Sequence, residues 1–157
     1  MANPRIYNII QEIESLIDSM TIVGGYNYDW PRPSDYTDRA RYSTFPASFV
    51  RYKSERIAES NIAVLYGFQN AEILIEIEYK ITPGTSVNPK FTADLYLDKA
   101  LADLRKLFRQ SDASGYLPLS GEAVMSFVSS EKEDIERNDS HRPVKLITTW
   151  DVFYHNS

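Results

Sequence analysis

The chain contains no cysteine among its 157 residues. That excludes a disulfide framework, a thiolate zinc site and a cysteine nucleophile together, and it fits an intracellular origin. Histidine is almost as scarce, with His141 in a polar stretch and His155 near the last residue. Neither has the supporting neighbours that a rigid acid–base or metal site requires, so no catalytic, cofactor-binding or metal-ligating residue is expected. Cationic side chains are in deficit, 17 Lys and Arg against 22 Asp and Glu, for a net charge of -5. Phosphate binding normally draws on a clustered excess of Lys and Arg, so a protein whose main work is gripping nucleic acid is not expected. Long apolar runs are missing as well. No stretch approaches the roughly 20 residues needed to span a bilayer, and the segment up to Met20 carries Glu12, Glu14 and Asp18, unlike the apolar centre of a signal peptide. The chain reads as soluble and unsecreted, without membrane partners.

What is present is ample for one core. Apolar residues make up 43% of the chain, at a length where about two thirds of the unfolded surface can be buried, so residues 1–157 are expected to form a single domain. Ile6, Ile9, Ile10, Ile13, Leu16, Ile17 and Met20 recur at three- and four-residue steps and predict an amphipathic helix, started by the cap and proline pair Asn3-Pro4. Ala71 to Ile81 predicts a half-buried strand, with Ile73, Ile75, Ile77, Tyr79 and Ile81 on one face. Glu72, Glu76, Glu78 and Lys80 stand on the other, broken only by Leu74. Ala47–Lys53 and Ile62–Phe68 predict two further strands, the second turning at Gln69-Asn70 into the strand just described. Asn88-Pro89 opens a second helix to about Gln110, with Leu97, Leu101, Leu104 and Phe108 as its stripe, although alternation from Phe91 to Leu97 also allows an extended start. Glu122–Val128 and Val144–Tyr154 predict two last strands. The fold class is therefore α+β, a mostly antiparallel central sheet of about five strands flanked by two helices, in the order α-βββ-α-ββ.

Two segments stand apart. Residues 24–46 form a long loop holding Tyr26, Tyr28, Trp30, Tyr36 and Tyr42 among Pro, Asp and Arg. Aromatic residues mixed with Arg are enriched at protein interfaces, so these are candidate contact residues, and the same loop can fold back over its own core. Residues 129–142 are polar apart from Ile135 and are expected to form a hairpin tip or arm.

No chemical motif is complete. Gly24-Gly25 lacks the Lys-Ser or Lys-Thr of a phosphate loop and the third glycine of a dinucleotide fingerprint. Asp94, Asp98 and Asp103 are read as a solvated helix face, with only the first two side by side. Glu78-Tyr79-Lys80 at a strand end looks like the carboxylate-x-Lys element of metal-dependent nucleases. Such enzymes need a second carboxylate on an adjacent element, and residues 61–68 contain none.

The pattern resembles the tail terminator and tail-completion proteins of long-tailed bacteriophages, including the lambda-type minor tail protein. The likeness rests on the stripe Ile6 to Met20, the stretch Tyr26-Asn27-Tyr28-Asp29-Trp30, and the phrase Phe45-Pro46-Ala47-Ser48-Phe49-Val50-Arg51-Tyr52. The helix with Asp103-Leu104-Arg105 and the closing strand Lys145 to Tyr154 complete it. The resemblance implies a structural, non-enzymatic virion protein, assembled in the host cytoplasm, that forms a homo-hexameric ring on the head-proximal end of the tail. Its implied partners are the tail tube protein and the head-tail connector protein, with DNA passing through unbound. A neighbouring neck protein is the alternative, and a small nuclease a more distant one. On the ring reading, Glu72, Glu76 and Glu78 are candidates for an acidic channel or partner-facing surface, because carboxylates repel phosphate. The length of the loop 24–46 departs from the family pattern.

Overall fold

The computed structural model describes residues 5–33, 45–57, 68–81, 89–109, 117–119, 123–134 and 142–155. The N-terminal stripe folds as α1 (Arg5–Asp18), and Ile9, Ile13 and Ile17, four residues apart on one face, are fully buried. The second helix, α2 (Pro89–Leu107), is helical from its proline onward, so the extended alternative for its first turns does not hold. Its inward stripe is Leu97, Ala100, Leu104 and Leu107, continued by Phe108, with Leu101 only partly buried.

The strands are β1 (Ala47–Ile57), β2 (Phe68–Ile81), β3 (Leu117–Leu119), β4 (Ala123–Asp134) and β5 (Arg142–His155). They form one antiparallel sheet in the order β1-β2-β5-β4-β3, four long strands and a three-residue fifth. The α+β class and the central antiparallel sheet are as the sequence predicts. Among the described residues two strands precede α2 and three follow it, the short β3 being a strand the sequence does not predict. Gln69 and Asn70 do not make a turn, because both lie inside β2, where they pair with Ile57 and Arg56 of β1 and with Tyr154 and Phe153 of β5. A turn-compatible Asn is no obstacle in a strand that is paired on both sides. The predicted strand at 62–67 lies outside the described residues. Ser129 to Asp134 continue β4 instead of beginning a polar tip, and 135–141 lie outside the described residues.

Both helices cover the same face of the sheet. Ile73, Ile75 and Ile77 of β2 meet Leu146, Trp150, Val152 and Tyr154 of β5, and Ile9, Ile13, Ile17 and Met20 together with the α2 stripe close over them. The alternation of β2 delivers one side chain in two to this core. Thr148, also fully buried there, donates from Oγ1 to the Ile75 carbonyl at 2.8 Å and accepts from Trp150 Nε1 at 2.7 Å, so this polar intrusion is satisfied.

Ile75 is central to this layer. Ile75→Ala is expected to lower unfolding free energy by about 3 kcal/mol, read from the urea midpoint, whereas Val128→Ala, at a side chain half exposed on β4, should change it by less than about 0.5 kcal/mol.

Candidate functional site

The chain leaving α1 is pinned to α2 by a buried carboxylate. Asp103 lies three residues after Ala100 and four before Leu107, on the inward stripe of α2, and is almost fully buried. Its Oδ1 accepts from the Asn27 backbone N–H at 2.8 Å and from Asn27 Nδ2 at 2.9 Å, and its Oδ2 accepts from Trp30 Nε1 at 2.9 Å. Three donors on one carboxylate offset the cost of removing its charge from water. Lys106 Nζ adds a hydrogen bond to the Gly25 carbonyl at 2.8 Å and stands 5.1 Å from the centre of the Tyr26 ring. Gly25 has φ +98°, where a side chain would be strained. The reading of Asp103 as solvated is thus corrected. Asp94 and Asp98 do share the outer face, where Lys132 of β4 reaches both, at 3.6 and 2.9 Å.

The aromatic residues expected at a contact surface are turned inward where they are described. Trp30 is 3% exposed and belongs to the main core, so it is not a contact residue. Tyr26 and Tyr28 are half-buried. Tyr28 packs edge-on against Phe45 at 5.1 Å, Phe45 against Tyr79 at 5.2 Å, and Tyr79 stacks on Tyr96 at 5.2 Å. Tyr28 also donates from its hydroxyl to the Tyr96 carbonyl at 3.2 Å. Tyr36 and Tyr42 lie outside the described residues. Burial pushes the Tyr28 phenol well above its ordinary range, helped by Tyr96, Asp103 and Tyr79. It raises Tyr79 as well, with Tyr96, and Tyr26, with Asp103.

The acidic face of β2 is not wet. Glu76 is 1% and Glu78 8% exposed, and only Glu72 is partly accessible. Their ladder neighbours explain this. Glu76 stands between Phe49 and Ile147, Glu78 between Ala47 and Lys145, and Leu74 lies on the same face. Lys145 Nζ donates to Glu76 Oε1 at 3.4 Å, and Arg51 Nε lies 3.9 Å from the same oxygen. Nearer the strand start, Glu72 meets Lys53 at 3.7 Å and accepts from Ser54 Oγ at 3.3 Å. Glu76 and Glu78 therefore cannot line an open channel. Alternation identified which residues share this face, while Phe49, Leu74 and Ile147 were the signal that it is shielded from water. Glu78 has no acidic residue opposite it on either adjacent strand, so the two-carboxylate geometry of the nuclease-like reading is not formed there. The Lys80 side chain is not among those described. No group of three His, Asp or Glu placed to hold a metal occurs among the described residues.

A run of accessible charged residues lies on β4. β3 pairs only with Ala123 to Met125, so among the described residues Ser126 to Asp134 are joined to β5 on one side alone. Ser126 and Val128 through Glu133 are exposed, with Glu131 and Glu133 on one face and Lys132 on the other. Burial alone would lower the Lys132 ammonium, but its hydrogen bond to Asp98 and the charges of Asp98 and Asp94 outweigh that and hold it above its ordinary value. The β4 edge is thereby tied to α2.

No protein-family model matches this chain, and no curated protein matches it. No helix among the described residues is long and apolar enough to cross a membrane.

The buried charges give a two-step expectation. Lys145→Met should destabilise by roughly 3 kcal/mol, because Glu76 loses an enclosed cation, and the pair Lys145→Met with Glu76→Leu should recover most of that loss in chemical denaturation. The tyrosines give a pH dependence. Raised folded-state values favour the neutral phenol, so their contribution is complete below the unfolded pKa of about 10 and is lost as pH rises through the higher folded values. The urea midpoint should fall above about pH 10, and Tyr28→Phe should flatten that fall.

Proposed function

We propose that the chain is a structural subunit of a long-tailed bacteriophage, closing as a homo-hexameric ring on the head-proximal end of the tail tube and offering a surface to the head connector. The observation that supports this reading beyond the sequence resemblance is the edge of β4, which among the described residues is paired on one side alone from Ser126 to Asp134. A ring built head to tail needs two different surfaces on each copy that fit one another. A strand with one neighbour presents a row of backbone donors and acceptors ready to pair with another chain. Here that row runs from Ser126 to Asp134 and is held in place by Lys132 on Asp94 and Asp98.

The same strand is selective. Glu131, Lys132 and Glu133 discourage indiscriminate edge-to-edge pairing, so the surface that docks there carries complementary charge, with cations opposite Glu131 and Glu133. With a net charge of -5, the ring repels phosphate and lets the duplex slide.

Electron microscopy of the purified protein, alone and mixed with its tail tube subunit, tests the proposal. Closed rings and capped tube ends are expected, and the variant Glu131→Lys, altered only at an exposed position opposite Ile147, should stay folded and lose both. Monomers that never bind a tube end would refute the reading, and binding to the connector but not to the tube would move the subunit to the neck.

A further inference from the structure

A cavity of about 320 Å³ opens where the end of α2 meets β4 and β5, lined by Arg105, Phe108, Arg109, Met125, Ser126, Phe127 and Trp150. Its wall is an aromatic cluster: Phe108 and Phe127 each stand edge-on to Trp150 with ring centres 5.1 Å apart. Two guanidinium groups share this wall. That of Arg105 lies 4.8 Å from the centre of the Phe127 ring, and its Nε is buried and donates to no acceptor. Among the described residues no carboxylate lines the cavity, and neither Arg105 nor Arg109 makes an ion pair. A buried donor without an acceptor is rare in folded proteins, and here it occurs beside a second cation and a hydroxyl.

We infer that this cavity is a binding site for an aromatic carboxylate. The volume is roughly twice that of an engineered cavity that takes up benzene, so a phenyl ring with a short acidic arm fits. The ring would pack against Phe108, Phe127 and Trp150 in the offset or edge-on geometries that aromatic groups favour. The carboxylate would meet the planar donors of Arg105 and Arg109, which suit its two oxygens better than a lysine ammonium does. Four of the seven lining residues are apolar, so a compact, multiply charged anion would leave most of the wall unsatisfied, whereas one charge on an apolar body uses all of it. The ligand is either a free small acid or the carboxyl end of a polypeptide closing in phenylalanine. The inference does not rest on ring assembly: Ser126 and Phe127 are shared with the β4 edge, but Arg105, Arg109 and Trp150, which carry its test, lie on α2 and β5.

The full-length protein is titrated with 3-phenylpropionate and, separately, with the tripeptide Ala-Ala-Phe bearing a free terminal carboxylate, each beside its uncharged amide. The readout is the indole N–H resonance of Trp150, with that of Trp30 as the internal control, since Trp30 is held by Asp103 away from this cavity. A saturable shift of Trp150 alone is expected, at least about tenfold weaker for the amides. Arg105→Gln and Arg109→Gln should each weaken it by a similar factor, and Arg109, being exposed, provides a variant whose folding is not at risk. Saturation by 3-phenylpropionate assigns the site to a free acid, and saturation by the tripeptide alone assigns it to a chain terminus. No saturable shift with either probe at millimolar concentration, or equal binding of acid and amide, would overturn the inference.

Discussion

The continuous ladder between β2 and β5, from Phe68 opposite His155 to Ile81 opposite Arg142, is the constraint on which the rest of the molecule depends. Both strands are 14 residues long and lie at the middle of the sheet. Their register decides which side chains reach the helices. A slip of one residue would turn Ile73, Ile75 and Ile77 away from α1 and α2 and bring Glu72, Glu76 and Glu78 into the core. That exchange costs both the burial of three isoleucines and the desolvation of three carboxylates.

A slip of two residues would preserve the faces, and here the second face supplies the discrimination. Glu78 would then stand opposite Pro143 or Ile147 in place of Lys145. The enclosed charges contribute little net stability, since an ion pair removed from water recovers its hydration cost only with good geometry. Their effect is to penalise the wrong alignment. The acidic residues of β2, attractive as a channel lining when seen as a pattern, are thus better understood as part of the sheet's own construction. The exposed carboxylates Glu131 and Glu133 lie two strands away, on β4.

The α+β class, both helices and the principal strands were legible from periodicity, because a four-residue step in α1 and a two-residue step in β2 leave few other ways to bury isoleucine. Three features were not. Gln69-Asn70 reads locally as a turn, and only pairing on both sides makes it strand. Residues 129–134 are polar enough to read as a tip, but a strand that among the described residues has one neighbour tolerates such a sequence. Glu76 and Glu78 alternate with isoleucine as solvent-facing residues do, and their burial depends on neighbours from β1 and β5 that are distant in sequence. Asp103 was within reach, since its spacing from Ala100 and Leu107 sets it on the buried stripe, and a carboxylate there requires donors such as Asn27 and Trp30. The cavity beside Trp150 carried no sequence signal, because Arg105, Phe127 and Trp150 come from three separate elements.

On the ring proposal the sheet is unequal in mobility and in use, with a protected centre in β2 and β5 and a β4 edge that among the described residues has one neighbour from Ser126 on and would gain a second on assembly. Amide hydrogen exchange across Ser126 to Asp134, compared between dilute and assembled protein, measures this directly. The outward-pointing amides of β4 should exchange rapidly in the dilute chain and become protected on assembly, while those shared by β2 and β5 stay slow throughout. Protection of the outward β4 amides already in the dilute monomer, or no change when the protein assembles, would contradict the assignment of this edge as the assembly surface.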